Sequence, residues 1–150
     1  MSGPLSDVRI LEFSEIIAAP FAGMILSDMD AEVIKVEPPW GEPWRHQAAF
    51  IPTESRNYIS LNRGKRSLPL DLTKPEGRKI VYELIGAIDV VLINYRPDTP
   101  YKLGIDYETL SKINPRLIYC HNTAFGLNGP DSYRPGYDII AQAMSGIMGS

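Results

Sequence analysis

"DVVLINY", residues 89–95, is apolar for nearly its whole length and sets Val90, Val91 and Ile93 together with no polar residue alternating between them. That is the pattern of a strand covered on both faces, as strands of parallel sheets are. Three further runs read the same way: "VRILEF" (8–13), "EVIKVE" (32–37) and "RLIYCHNTAF" (116–125). Helical patterns lie between them. "KPEGRKIVYELIGAI" (74–88) spaces Ile80, Val81, Leu84, Ile85 and Ile88 along one helix face, with Pro75 near the first turn. "PFAGMILSDMDA" (20–31) and "DYETLSKIN" (106–114) are the other predicted helices. Strands alternating with helices imply right-handed crossovers, hence an α/β fold with a Rossmann-like, open, mainly parallel sheet and helices on both faces. Ligands of such sheets sit at the carboxyl ends of the strands, so the loops after Phe13, Glu37, Tyr95 and Phe125 are the places to search. The segment Pro38–Arg56 is too irregular for a regular element and long for a simple connection, a combination common in functional loops.

Composition narrows the classes. The chain has 150 residues, 44% of them hydrophobic and 22% charged, which suits an ordinary globular domain with a real core. A net charge of −3 argues against a general nucleic-acid binder. The single cysteine, Cys120, rules out an internal disulfide, and its setting in "RLIYC" predicts a buried thiol in a reducing compartment, the cytoplasm. "MSGPLSDVRILEF" has neither a basic leader nor a long apolar run, and no stretch approaches the roughly 18 apolar residues of a membrane span. The expectation is a soluble cytoplasmic protein without nucleic-acid or membrane partners.

Local motifs carry less. The first strand is followed by "SEIIAAPFAG" rather than G-x-G-x-x-G, so bound NAD is not expected; backbone N–H groups near Ala18 and Ala19 still suit a polar ligand. In "SRNYISLNRGKRSLPL" (55–70) the cations Arg56, Arg63, Lys65 and Arg66 occur with no acid among them, consistent with either a solvated basic turn or a phosphate site. His46 and His121 are too isolated for a metal site, and none is expected. Cys120 and His121 are strand neighbours on opposite faces and cannot form a nucleophile–base pair. Asn94, Tyr95 and Arg96 bring an amide, an aromatic face and a guanidinium to one strand end, a set suited to an adenine ring and phosphates.

Taken in order, "PLSDVRILEFSEIIAAPFAGMILSDMDAEVIKVEPPWGEPWR", "NYISLNRGKRSLPLDLTKPEGR", "DVVLINYRPDTPYKLGIDYETLSKINPRLIYC" and "GLNGPDSYRPGYDIIAQAMSGIM" strongly resemble the amino-terminal part of class III coenzyme A-transferases, a group that includes formyl-CoA and carnitinyl-CoA transferases and the related α-methylacyl-CoA racemases. The resemblance covers all 150 residues. It implies a Rossmann-like large domain that binds CoA or acyl-CoA, in proteins more than twice this length that form interlocked homodimers. It places CoA contacts at Ile17, Ala18, Pro38, Leu70, Asp71, Leu72, Thr73, Asn94, Tyr95, Arg96, Lys102 and the turn Arg134, Pro135, Gly136, Tyr137. Ile17 and Pro38 stand where the oxalate-handling member has a glutamine and an arginine, which argues against oxalate as acceptor.

The family nucleophile is an aspartate that the resemblance places beyond Ser150, so the 150-residue chain alone is expected to be inactive. Tyr137 and Asp138 are left with supporting roles. Asp138 is expected to cap a helix over 139–148, whose "IIAQAMSGIM" is apolar on most sides, as in a helix surrounded by protein. Racemase-type members carry a histidine at the position of Tyr137; a tyrosine is a poor base near neutral pH, which favours transferase over racemase. A non-catalytic nucleotide-binding fragment is the alternative of a different class.

Overall fold

The computed structural model describes residues 2–47, 49–51 and 54–149. In chain order its elements are β1 (Arg9–Phe13), α1 (Ala18–Asp28), β2 (Glu32–Glu37), a 3-10 turn (Pro43–Arg45), β3 (Ala49–Ile51), β4 (Glu54–Ser55), α2 (Arg56–Asn62), β5 (Arg66–Pro69), α3 (Pro75–Ile85), β6 (Val90–Ile93), α4 (Thr99–Leu103), α5 (Tyr107–Leu110), β7 (Ile118–His121), α6 (Asp138–Met144) and a second 3-10 turn (Ile147–Gly149). Five of the strands form one parallel sheet in the order β5-β2-β1-β6-β7, while β3 and β4 pair as an antiparallel hairpin. The chain lays β1 in the middle, builds outward through β2 and β5, then crosses to the other side for β6 and β7. The order therefore reverses between β1 and β6.

Successive strand residues go to opposite faces, and both faces are covered. On one, Leu11, Phe13, Val36, Val91 and Ile93 pack with Val81 and Ile85 of α3 and with Ile105 and Leu110. The buried residues of α3, Gly77, Val81 and Ile85, recur every four positions and make the single stripe such a helix needs. On the other face Ile10, Val33 and Leu92 meet Ala19 and Leu26 of α1.

Toward the strands' carboxyl ends this second layer turns from apolar to ionic. Glu12 and Lys35 are register partners on β1 and β2, and their side chains are 0% and 1% exposed. Lys35 Nζ lies 3.3 Å from Glu12 Oε1 and donates to the Ser14 carbonyl at 2.9 Å. Lys65 reaches the same Glu12 oxygen at 2.9 Å and also donates to the Pro20 carbonyl and Asn62 Oδ1. Glu42, fully buried, stands 4.0 Å from Lys35 Nζ. Two ammonium groups thus face two carboxylates in a nearly dry layer, where an unmatched charge costs several kcal/mol. Burial pulls the Lys65 ammonium down to about 8, against the pull of Glu12.

The strands and the longer helices follow the apolar patterns. Shorter elements differ from expectation for identifiable reasons. The 38–56 segment contains the 3-10 turn and the β3–β4 hairpin, with residues 48, 52 and 53 outside the described set. The basic run contains α2 and the edge strand β5, and three of its cations are neutralised: Arg63 by Asp28, Lys65 by Glu12 and Arg66 by Glu32. The Arg63 and Arg66 pairs are exposed, whereas the Lys65 pair is buried. Cys120 is exposed rather than buried, because β7 is an edge strand and, among the described residues, no helix covers its α1-side residues, Ile118 and Cys120. The last helix spans Asp138–Met144, shorter than expected, and its apolar side chains Ile139, Ile140 and Met144 are exposed. Among the described residues no helix is long and apolar enough to cross a membrane.

Gly23 lets α1 settle onto the ionic layer: a Cβ there would stand 1.9 Å from Glu12 Oε2. A helix-interior Gly→Ala change ordinarily gains about 0.5–1 kcal/mol. Gly23→Ala is expected instead to cost about 1–3 kcal/mol through overpacking, seen as a lower urea midpoint. A raised midpoint would refute the close approach.

Candidate functional site

The carboxyl ends of β1, β2, β5 and β6 open on a cleft of about 950 Å³. The β1–α1 loop contributes Glu15, Ile16, Ile17 and Ala18; the end of β2 contributes Glu37, Pro38 and Trp40; the loop after β5 contributes Leu70, Asp71, Leu72 and Thr73. Asn94, Tyr95 and Arg96 leave β6 at its floor, and the segment entering α6 adds Pro135, Gly136, Tyr137 and Asp138.

Each wall is built by local hydrogen bonds. Asn94 donates to the Glu15 carbonyl at 2.8 Å and accepts from the Glu15 N–H at 2.9 Å, a two-point clamp between the β6 and β1 ends. The next residue, Ile16, has φ +67°, rare for a β-branched residue. α1 begins at Ala18 with no side-chain cap on its first turn, so the Ala18 and Ala19 N–H groups lack intrahelical acceptors. After β5, the Thr73 N–H and hydroxyl both donate to Asp71 Oδ1, at 3.0 and 2.6 Å, which holds the Asp71 carboxyl below the usual range. α3 packs against this loop's backbone through Gly77, where a Cβ would lie 2.2 Å from the Asp71 carbonyl oxygen.

The electrostatics of the walls are mixed. Burial pushes the Glu15 carboxyl up, helped by the charge of Glu42 and opposed by Lys35. Burial also acts to raise Glu37, but hydrogen bonds from Arg45 and Ser67 and the charge of Arg45 outweigh it and hold Glu37 low. Arg45 grips Glu37 with two bonds of 2.6 Å and lies 3.8 Å over the Tyr58 ring. The Tyr95 phenol is pushed well up by burial and by the surrounding carboxylates, Glu15 foremost.

Of the residues expected to contact CoA, the structure gathers into this one cleft Ile17, Ala18, Pro38, Leu70, Asp71, Leu72, Thr73, Asn94, Tyr95, Arg96, Pro135, Gly136 and Tyr137. Lys102 is not among them: it lies on the outer face of α4, 72% exposed, paired with Asp98 at 2.6 Å. Arg134 lines an adjoining hollow of about 300 Å³, bound to Asp131 at 3.2 Å and 5.2 Å above the Phe125 ring. Asp138 is not a cap. Tyr137 occupies the cap position, and Asp138, the first helical residue, accepts from the Gln142 side-chain amide. His46 and His121 rest on the Trp40 and Tyr95 carbonyls. The sequence reading missed Glu15, Ile16 and Trp40 as lining residues; they adjoin predicted positions or fall in the long loop after β2.

Comparison with known proteins agrees with the fold. The model of "CoA-transferase family III" matches residues 5–150. The chain belongs to CoA-transferase family III. Its relatives include succinate–glutarate CoA-transferase of Agrobacterium fabrum, 44% identical over 97% of this chain and 38% of that protein. Succinyl-CoA:glutarate CoA-transferase of Homo sapiens is 43% identical over 97% of this chain and 34% of its own length. Among solved structures, a CAIB/BAIF family protein from Brucella suis superposes with TM-score 0.91 at 40% identity, over 99% of this chain and 40% of that one. The chain thus spans little more than a third of the length of the named CoA-transferases it matches.

Asn94→Ala removes both bonds of the clamp and leaves the Glu15 amide groups unpaired. A loss of about 1–3 kcal/mol is expected by chemical denaturation. A change within about 0.5 kcal/mol, as for neutral surface substitutions, would mean that the clamp does not hold the loop.

Proposed function

We propose that this chain is the CoA-binding amino-terminal part of the large domain of a CoA-transferase, and that the whole protein moves CoA from an acyl-CoA to a carboxylic acid acceptor. The observation that carries the reading is the convergence of the β1, β2, β5 and β6 loops, which the family resemblance assigns to CoA, on a single cleft. Tyr95 and Trp40 offer aromatic faces to the adenine ring. Arg96 offers a forked donor to phosphate, and the free N–H groups at the start of α1 add to it. Ile17, Pro38, Leu70 and Leu72 give apolar contact to the pantetheine arm.

In the proposed chemistry an aspartate beyond Ser150 attacks the acyl-CoA carbonyl, forming a mixed anhydride and releasing CoA thiolate. The thiolate attacks the aspartyl carbonyl, the donor acid leaves, and an enzyme thioester remains. The acceptor carboxylate then attacks the thioester, expelling CoA thiolate and forming a second mixed anhydride, and the thiolate attacks the acceptor's acyl carbon to give the new acyl-CoA and free the aspartate. This splits one difficult transfer into easier steps. Tyr137 and Asp138 line the cleft and are assigned supporting roles near the acyl group. Tyr137, in place of a basic histidine, favours transfer over α-carbon racemisation. The exposed apolar side of α6 suits burial by later parts of the protein or by the partner of an interlocked homodimer.

Calorimetry tests the binding half. CoA is expected to bind with salt-sensitive affinity, and Arg96→Ala to weaken it by about 1.5–3 kcal/mol. No saturable heat with millimolar CoA would overturn the reading. In the whole protein, rapid deuterium entry at the α-carbon of a branched acyl-CoA would point to the racemase instead.

A further inference from the structure

A fully buried carboxylate behind the cleft wall ties its two sides together. Glu42 Oε2 accepts from the Ile16 N–H at 3.3 Å and from the Trp44 N–H at 3.1 Å. The Glu42 N–H donates to Glu37 Oε2 at 3.3 Å, joining the tie to the Glu37–Arg45 pair. Lys35 Nζ stands 4.0 Å from Glu42 Oε1, an oxygen with no hydrogen-bond partner among the described residues. The carboxylate is therefore committed to the loop backbone and to one ammonium group.

Ile16 is where such a tie is needed. Its left-handed backbone disfavours a β-branched side chain and persists only where the surroundings impose it. The Asn94 clamp fixes Glu15 on one side, and α1 starts at Ala18 on the other. A charged acceptor on the Ile16 N–H supplies the remaining restraint.

We propose that Glu42 is a positioning residue: by holding the Ile16 N–H it keeps the β1–α1 loop in the left-handed turn that presents the start of α1 to the phosphates of the bound ligand. The choice of ligand rests on the CoA reading, whereas the restraint on the loop does not. A residue that served only to balance buried charge would affect overall stability without regard to the backbone preference at position 16.

The test compares Glu42→Gln, Ile16→Gly and the double variant by amide hydrogen exchange and by CoA calorimetry. Glu42→Gln should quicken exchange over Glu15–Ala19 about tenfold relative to β6 and weaken CoA binding by about the same factor. Glycine adopts the left-handed turn freely, so both effects should shrink to about threefold or less in the Ile16→Gly background. Glu42→Asp, which keeps a charge facing Lys35 but shortens the reach to Ile16, should show the same loop-specific quickening if Glu42→Gln folds poorly. Equal quickening of loop and β6, or equal effects in both backgrounds, would overturn the proposal. Absence of CoA binding by the unsubstituted chain would overturn the CoA reading, and the exchange comparison would still decide the role of Glu42.

Discussion

The reversal of strand order between β1 and β6 is the constraint on which the rest of the site depends. At that point the chain leaves β1 for a helix on one face of the sheet and leaves β6 toward helices on the other. The two departing loops diverge and an opening forms between them at the carboxyl edge. Left free, such loops would vary in shape. Asn94 at the end of β6 and the Glu15 backbone at the end of β1 are joined by two hydrogen bonds across this divergence, so the cleft keeps a defined floor.

Beneath the wall lies an ionic layer with an energetic cost of its own. Replacing buried charges by well-packed apolar residues often stabilises a fold, so Glu12, Lys35, Lys65 and Glu42 are not explained by stability alone. Their location explains more. Glu12 and Lys35 lie near the carboxyl ends of β1 and β2, Lys65 reaches Glu12 from the residue before β5, and Lys35 and Glu42 hold Ser14, Ile16 and the 3-10 turn after β2. Polar groups at this depth hold loop backbone that apolar side chains cannot hold.

The parallel sheet was legible because β1, β2 and β6 carry apolar residues to both faces, and α3 because its stripe repeats at helical spacing. β5 was not: its sequence, RSLP, is polar because it lies at an edge. Cys120 misled for the same reason, since an apolar run indicates strand but not whether a helix covers it. The floor and walls of the cleft could be located from strand ends and from family resemblance. The ionic layer could not, although lone charges at Glu12 and Lys35 inside apolar runs were its visible trace. Pairing them requires the β1–β2 register, which only the fold supplies. Likewise the bonds of Asn94 to the Glu15 backbone are visible only once β1 and β6 are seen side by side.

CoA is proposed to bind in one cleft, at the strand-order reversal. Backbone chemical-shift mapping of the isotope-labelled chain during a CoA titration tests it most directly. Saturable shifts centred on Glu15–Ala18, Leu70–Thr73 and Asn94–Arg96, with the Arg63–Arg66 stretch unmoved, are the predicted result. Saturable shifts centred on Arg63–Arg66, with the cleft loops silent, would contradict it.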